Sequence, residues 1–115
     1  MFRFPRIVGP AMAKEHLLRG ELFDAETAQR MGLVNSLFEP SELLPAARRA
    51  AERIARNAPL SVEETRRVVE DTWGADDDQS WAISARAAKR ILESEDAHEG
   101  RRAFVEKRAP VWKGR

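Results

Sequence analysis

A succession of helix start and stop signals is the feature that most constrains the fold of this 115-residue chain. Pro10 suits the first turn of a helix and Gly20 suits a helix end, so the pattern predicts a short helix over residues 10–19. Asp24 is a favourable N-cap residue and precedes a second short helix that we expect over Ala25–Met31. Such closely spaced signals leave little room for long strands.

Apolar residues at helical spacing predict the longer helices that follow. A helix over about residues 41–56 would carry these residues on one face: Leu43, Ala47, Ala51 and Ile54. Pro45 would fall in its first turn, where a missing N–H costs little. Ser61–Glu64 has the pattern of a capping box, which predicts that the next helix begins there and spans Val62–Trp73.

Two more helices are expected toward the end of the chain. The acidic run Asp76–Asp78 precedes a helix whose apolar residues recur at core-facing spacing. Ser94 is the expected N-cap of the last helix, and the acidic residues after it suit the positive end of the helix dipole. Leu33–Phe38 alternates imperfectly and allows at most one short extended segment. The sequence therefore predicts an all-α chain of about five main helices.

Composition places the chain among ordinary globular proteins. Hydrophobic residues make up 43% and charged residues 34%, and no linker divides the sequence, so we expect a single domain over residues 1–115. No apolar run approaches the roughly 20 residues that a membrane span needs. The absence of cysteine excludes disulfides and thiolate zinc sites and is compatible with a cytoplasmic setting.

Basic residues are concentrated at the end of the chain. The net charge is +1, but residues 101–115 hold six Lys or Arg residues against the single Glu106, a local charge of +5. A basic end on a mildly acidic body favours an anionic ligand or an acidic partner, and a solvated tail explains it equally well. The small net charge gives little support to a nucleic-acid partner.

Few residues could carry chemistry. His16 and His98 have no second histidine at metal-ligand spacing, and Asp76–Asp78 lacks the alternating oxygen ligands of a calcium loop. Neighbouring carboxylates on helices rarely oppose each other across a substrate. We therefore predict no catalytic residue and no metal ligand in this chain.

Several stretches, taken together and in order, resemble the enoyl-CoA hydratase/isomerase, or crotonase, family. The tail Arg101–Arg115 resembles its closing helix. Five earlier landmarks resemble the same family: Phe4–Glu15, Leu17–Ala28, Met31–Asn35, Pro40–Leu44 and Asn57–Ser61. No single motif is decisive, but the matching stretches occur in the family's order and together span nearly the whole chain. The resemblance is to the C-terminal helical region only.

The resemblance implies a function and also withholds its chemistry. Subunits of this family bind acyl-CoA thioesters and have an N-terminal ββα spiral domain, followed by helices that cover the site and build a trimer or hexamer. Their catalytic carboxylates and oxyanion hole precede the point matched by Met1, so we expect the spiral domain to be absent. The parent reaction would be hydration or isomerisation of 2-enoyl-CoA in fatty-acid metabolism, without a metal or redox cofactor.

Two residues inherit a ligand role by this resemblance. Phe104 and Lys107 align with the family's C-terminal aromatic residue and lysine, which contact the coenzyme A end of the ligand. At a spacing of three they would share one helix face. In the alternative interpretation, Phe104 anchors the last helix in the core and Lys107 complements the helix dipole.

Two kinds of protein remain open. As part of a larger enzyme, the chain alone would be inactive, would expose apolar patches and would self-associate. The alternative is a non-catalytic helical interaction module or structural subunit that folds by itself and assembles with a partner.

Overall fold

Seven α-helices occupy most of residues 2–115, the part of the chain that the computed structural model describes. They are α1 (Arg3–Val8), α2 (Pro10–Arg19), α3 (Ala25–Arg30), α4 (Pro40–Ala55), α5 (Pro59–Asp71), α6 (Asp77–Leu92) and α7 (Glu95–Val105). Five of them have ten residues or more, which confirms the prediction of an all-α chain with about five main helices. The short α1 was not predicted.

The segment Leu33–Phe38 consists of bends and irregular backbone. No β-strand occurs anywhere in residues 2–115, so the short extended segment that the sequence allowed has no ladder partner there. None of the helices in that range has both the length and the apolar character needed to cross a membrane.

The helices form two compact units that divide between Arg48 and Arg49, within α4. The prediction of a single domain over residues 1–115 stays a prediction. In the first unit, the ring of Phe23 stacks on Phe4 at 6.4 Å between centroids and meets the edge of His16 at 5.2 Å. His16 therefore packs against an aromatic ring.

In the second unit α5 packs against α6, and α6 packs against α7. Leu60 of α5 and Ala87 of α6 are both buried. The Glu64 side chain is also buried, and its carboxylate accepts a hydrogen bond from Arg90, 26 residues further along the chain. The packing of the two helices is thus reinforced by a charge-assisted hydrogen bond between them.

The predicted N-caps Asp24 and Ser94 are confirmed, and Asp76, in the acidic run expected at a helix start, is an N-cap as well. Asp24, Asp76 and Ser94 each accept a hydrogen bond from the backbone N–H three residues later, at 2.8, 2.8 and 3.0 Å. These bonds satisfy N–H groups that a helix start leaves without an intrahelical partner. The acidic run therefore begins α6 through Asp76, as expected of a helix start.

The predicted capping box at Ser61–Glu64 is wrong. Helix α5 begins two residues earlier, at Pro59, and Ala58 is its N-cap without a side-chain bond. Proline has a φ already suited to a helix, and it lacks the N–H that would be unpaired at the first helical position. The helix therefore begins at Pro59 and not at Ser61. The prediction that Pro45 lies in the first turn of its helix is also wrong. Helix α4 begins at Pro40, so Pro45 falls beyond the first turn.

Candidate ligand-binding site at the end of the last helix

A Schellman motif ends α7. The N–H of Arg108 donates to the Ala103 carbonyl at 3.1 Å, and the N–H of Lys107 donates to the Phe104 carbonyl at 3.3 Å. Lys107 holds the left-handed position of the motif, with φ of 54°. Within residues 2–115 it is the only residue other than glycine with a positive φ. Glycine is the usual residue there, because a Cβ atom makes this conformation costly.

The two predicted ligand residues therefore meet at this helix end. Phe104 is 86% exposed, which contradicts the alternative that it anchors the helix in the core. Lys107 lies beyond Val105, the last helical residue, so the expectation of one shared helix face is also wrong. The Schellman turn joins the two residues through their backbone instead. An exposed ring and an exposed ammonium group remain available to a ligand.

Four of the six cations in residues 101–115 are ion-paired within the chain, and one of them, Arg102, pairs with Glu99 at 3.8 Å. Arg108 pairs with Glu99 at 2.6 Å and with Glu106 at 2.5 Å, and both Lys113 and Arg115 pair with Glu95. The tail's local charge of +5 thus overstates what it offers to an acidic partner. Lys107, by contrast, makes no ion pair or side-chain hydrogen bond with the residues that the structure describes.

Glu99 is the centre of the ion-pair network. Both of its carboxylate oxygens accept from Arg108, at 2.6 and 3.1 Å, and one also accepts from the Val111 N–H at 2.9 Å. The hydrogen bonds from Arg108, followed by the one from Val111, lower the pKa of Glu99 from 4.5 to about 2. The same contact with Glu99, and then that with Glu106, raises the pKa of Arg108 above its ordinary value.

The residues after the turn, 108–115, fold back along α7, and we call them the C-terminal strap. Asp96 fastens the far end of this strap: its carboxylate accepts from the backbone N–H groups of Lys113 at 2.6 Å and Gly114 at 2.9 Å. With 2% of its surface exposed, Asp96 is the largest fully buried side chain in the described range. The sequence predicted only a dipole complement there and missed this bond.

Trp112 anchors the middle of the strap. Its indole N–H donates to the Arg56 carbonyl at 2.7 Å, and its ring lies over Gly100 of α7. The ring also borders a groove of about 690 Å³ whose other walls come from the end of α4 and from α5. Ile54, Val62 and Val69 make part of this groove apolar.

His98 also has a partner within the chain. His98 shares a hydrogen bond with Arg101, with 3.1 Å between the ring Nδ1 and the guanidinium. Among residues 2–115, no three His, Cys, Asp or Glu side chains converge in a way that could hold a metal ion. No buried side-chain nitrogen or oxygen atom in the same range lacks a hydrogen-bond partner.

Comparison with known proteins extends the resemblance. The family model for enoyl-CoA hydratase/isomerase matches residues 1–115. The chain is 37% identical to carnitinyl-CoA dehydratase from Salmonella typhi over 119 aligned residues, covering 100% of this chain and 46% of that protein. The chain thus spans about half the length of the relatives it matches.

Solved structures give the same result. Enoyl-CoA hydratase from Bacillus anthracis matches with a TM-score of 0.90 at 31% identity, over 98% of this chain and 44% of that one. Enoyl-CoA hydratase from Mycobacterium tuberculosis H37Rv matches with a TM-score of 0.87 at 38% identity, over 99% and 45%. The seven helices correspond to a helical part of this fold. The chain belongs to the enoyl-CoA hydratase/isomerase, or crotonase, family.

Proposed function

We propose that this chain is the coenzyme-contacting and subunit-docking part of an enzyme that hydrates or isomerises 2-enoyl-CoA thioesters in fatty-acid metabolism. The observation that carries the proposal is the pairing of an exposed aromatic ring, Phe104, with a lysine, Lys107, whose ammonium group has no partner in the described residues. The intact assembly would be a trimer or hexamer in the cytoplasm and would need no cofactor.

The two side chains fit the two ends of a nucleotide. An aromatic face packs on adenine, and a lysine ammonium pairs with phosphate as a compact point charge. The carboxylates around the strap do not compete for Lys107, because they are already paired with Arg108, Lys113 and Arg115. A phosphate would therefore find this ammonium group free.

Exposed apolar side chains support the docking role. In residues 2–115 the buried apolar residues are five alanines with Met31 and Leu60. Across the same residues, twenty large apolar side chains are exposed, including Leu18 at 85% and Leu22 at 102%. Apolar surface on this scale is typical of faces that pack against another polypeptide.

The relatives favour a reaction on a coenzyme A thioester. One is named carnitinyl-CoA dehydratase and others are named enoyl-CoA hydratase, so water is removed in one case and added in the other. Adding or removing water at a thioester needs an acid and a base placed on opposite sides of the substrate. We propose that those groups belong to the part of the relatives that this chain does not match.

Turnover of crotonyl-CoA tests the proposal. We expect the purified chain to leave the enoyl absorbance unchanged. A hybrid in which this chain replaces the matching part of the Bacillus anthracis hydratase should restore turnover. In that hybrid, Lys107→Ala should raise KM about fivefold with little change in kcat, because a phosphate contact far from the thioester binds ground state and transition state equally.

A shortened substrate is the control. Crotonyl-pantetheine lacks the nucleotide, so Lys107→Ala should leave its kinetics unchanged in the hybrid. Clear turnover by the isolated chain would contradict the inactive role. An active hybrid whose KM for crotonyl-CoA ignores both Lys107→Ala and Phe104→Ala would contradict the coenzyme contact.

A further inference from the structure

The backbone at Lys107 is held in a conformation that lysine does not favour by itself. A left-handed φ at a residue other than glycine persists when its surroundings determine it. Two Schellman bonds alone do not account for it, because helices that end this way usually have glycine at the position. The residues that hold the chain on the far side of Lys107 therefore matter.

Glu99 holds the chain immediately after Lys107. Its side chain is 15% exposed, and it receives three hydrogen bonds from the strap, two from Arg108 and one from the Val111 N–H. Arg108 directly follows Lys107, so a fixed Arg108 sets where the chain must go after residue 107. The chain can reach Glu99 from the end of α7 only by reversing, and residue 107 makes that reversal.

The ion pairs of Arg108 also affect which carboxylates remain available to Lys107. Arg108 is bound by Glu99 on α7 and by Glu106, the residue on the other side of Lys107. Both of these carboxylates are thereby paired with Arg108. The ammonium group of Lys107 makes no ion pair with the described residues.

We propose that Glu99 is a positioning residue for the coenzyme A contact. By binding Arg108 and Val111 it fixes Lys107 in the left-handed conformation and leaves its ammonium group for a phosphate of the ligand. This inference rests on the proposed function, and it adds a residue that would never touch the ligand.

The full chain, isotope-labelled for NMR, provides the test. In Glu99→Gln the ¹³C shifts of Lys107 should leave the left-handed range, and titration with coenzyme A should show an affinity about fivefold weaker. Lys107→Ala should weaken binding similarly. The double variant should be no weaker than Lys107→Ala alone, because Glu99 acts only through that lysine. Arg108→Lys, which cannot form the two-point contact, should resemble Glu99→Gln.

Glu95→Gln is the matched control. Glu95 lies one turn earlier on α7 and pairs with two strap cations, Lys113 at 2.8 Å and Arg115 at 3.1 Å, but not with Arg108. This variant should leave both the Lys107 shifts and the coenzyme A affinity unchanged. Circular dichroism should show the same helix content in every variant.

Three results would overturn the inference. Lys107 could keep its left-handed shifts in Glu99→Gln, or the effects of Glu99→Gln and Lys107→Ala could simply add. Glu99→Gln could also bind coenzyme A normally while Lys107→Ala binds weakly, which would refute the positioning role and leave the proposed contact intact. If Lys107→Ala itself binds normally, the proposed contact fails and the inference fails with it.

Discussion

At the scale of single residues, Lys107 shows a conflict between conformation and chemistry. Its φ of 54° suits glycine, yet the position carries the one tail lysine that has no ion pair in the described residues. A side chain with a left-handed backbone carries a conformational cost of about 1–2 kcal/mol. Such a cost is offset when the side chain contributes elsewhere, and the ligand is where we expect that contribution.

Lys107→Gly should therefore stabilise the chain and weaken ligand binding. Removing the Cβ relieves the left-handed strain, and the greater flexibility of glycine in the unfolded state offsets part of that gain. We expect a net gain of about 0.5–1 kcal/mol in urea unfolding. Val105→Gly, at a helical φ two residues earlier, should instead lower stability. A destabilised Lys107→Gly would contradict this account.

Because the Glu99 carboxylate binds the C-terminal strap, its protonation makes the stability of the strap depend on pH. Its pKa is about 2 in the folded chain against an ordinary 4.5, so the folded state favours the charged form. A carboxylate of this kind contributes its full stabilisation above its ordinary pKa and loses it as pH falls toward the folded value. We expect the gap in melting temperature between wild type and Glu99→Gln to be constant above about pH 4.5 and to shrink toward pH 2. An unchanged gap across this interval would refute the assignment.

The sequence predicted local bonds at this scale and missed the distant ones. Asp24, Asp76 and Ser94 cap helices because the partner N–H lies three residues away, which a local rule can recognise. Asp96 bonds to residues 17 and 18 positions later, and Glu99 to residues 9 and 12 positions later. No local pattern specifies such a return of the chain.

At the scale of elements, the strap and α7 constrain each other through Gly100 and Trp112. A Cβ atom built on Gly100 would lie 3.3 Å from Cη2 and 3.5 Å from Cζ3 of the Trp112 ring. The ring cannot shift freely, because its N–H is bonded to the Arg56 carbonyl at 2.7 Å. The close approach of strap and helix thus leaves little room for a methyl group at position 100.

Gly100→Ala should reveal this constraint. Alanine favours a helix over glycine by about 1 kcal/mol, but crowding against Trp112 should cancel the gain in the native background. In a Trp112→Leu background the same substitution should stabilise the chain by about 1 kcal/mol. The measurement is urea unfolding of all four chains. Equal effects of Gly100→Ala in both backgrounds would contradict the proposed contact.

Element boundaries were predictable where one signal stood alone. Gly20 ends α2 with a left-handed φ, as predicted, since no nearby residue competes for that role. At the start of α5 two signals compete, Pro59 and Ser61, and the proline sets the boundary. The end of α7 at Val105 was missed because lysine gives no sequence signal for a left-handed turn.

At the scale of the whole molecule, the main feature of the described residues is that far more large apolar side chains are exposed than buried. Met31 and Leu60 are the only large apolar side chains that are buried in the described range, and the other buried apolar residues are alanines. Sequence periodicity predicted an apolar face on α4, yet Leu43 and Ile54 of that face are exposed. The pattern could not reveal which faces lack a partner within the chain. Coverage of a face depends on tertiary packing, which a local pattern does not encode.

We expect the purified chain to self-associate in a concentration-dependent way. The exposed apolar side chains lose unfavourable contact with water when copies pack together. Sedimentation velocity should show species larger than a monomer, and replacing Leu18 and Leu22 with lysine should shift them toward smaller ones. Glu21→Lys adds charge on the same segment without removing apolar surface, so it serves as the control.

A compact monomer with cooperative melting would contradict this expectation. It would favour the alternative of a self-sufficient helical interaction module, because such a chain would tolerate its exposed apolar faces without packing them. Association that persists unchanged after the Leu18 and Leu22 replacements would assign the contact to other apolar residues.

The tie between Asp96 and the strap has a consequence for mutational tolerance. Asp96 grips main-chain amides of residues 113 and 114, not their side chains. Almost any amino acid at position 113 can supply that amide. Substitutions there should therefore keep the hydrogen bond to Asp96. Proline is the exception, since it alone brings no hydrogen to the bond. In saturation mutagenesis, substitutions at position 113 other than proline should change the stability of the chain little. Most substitutions at position 96 should lower it.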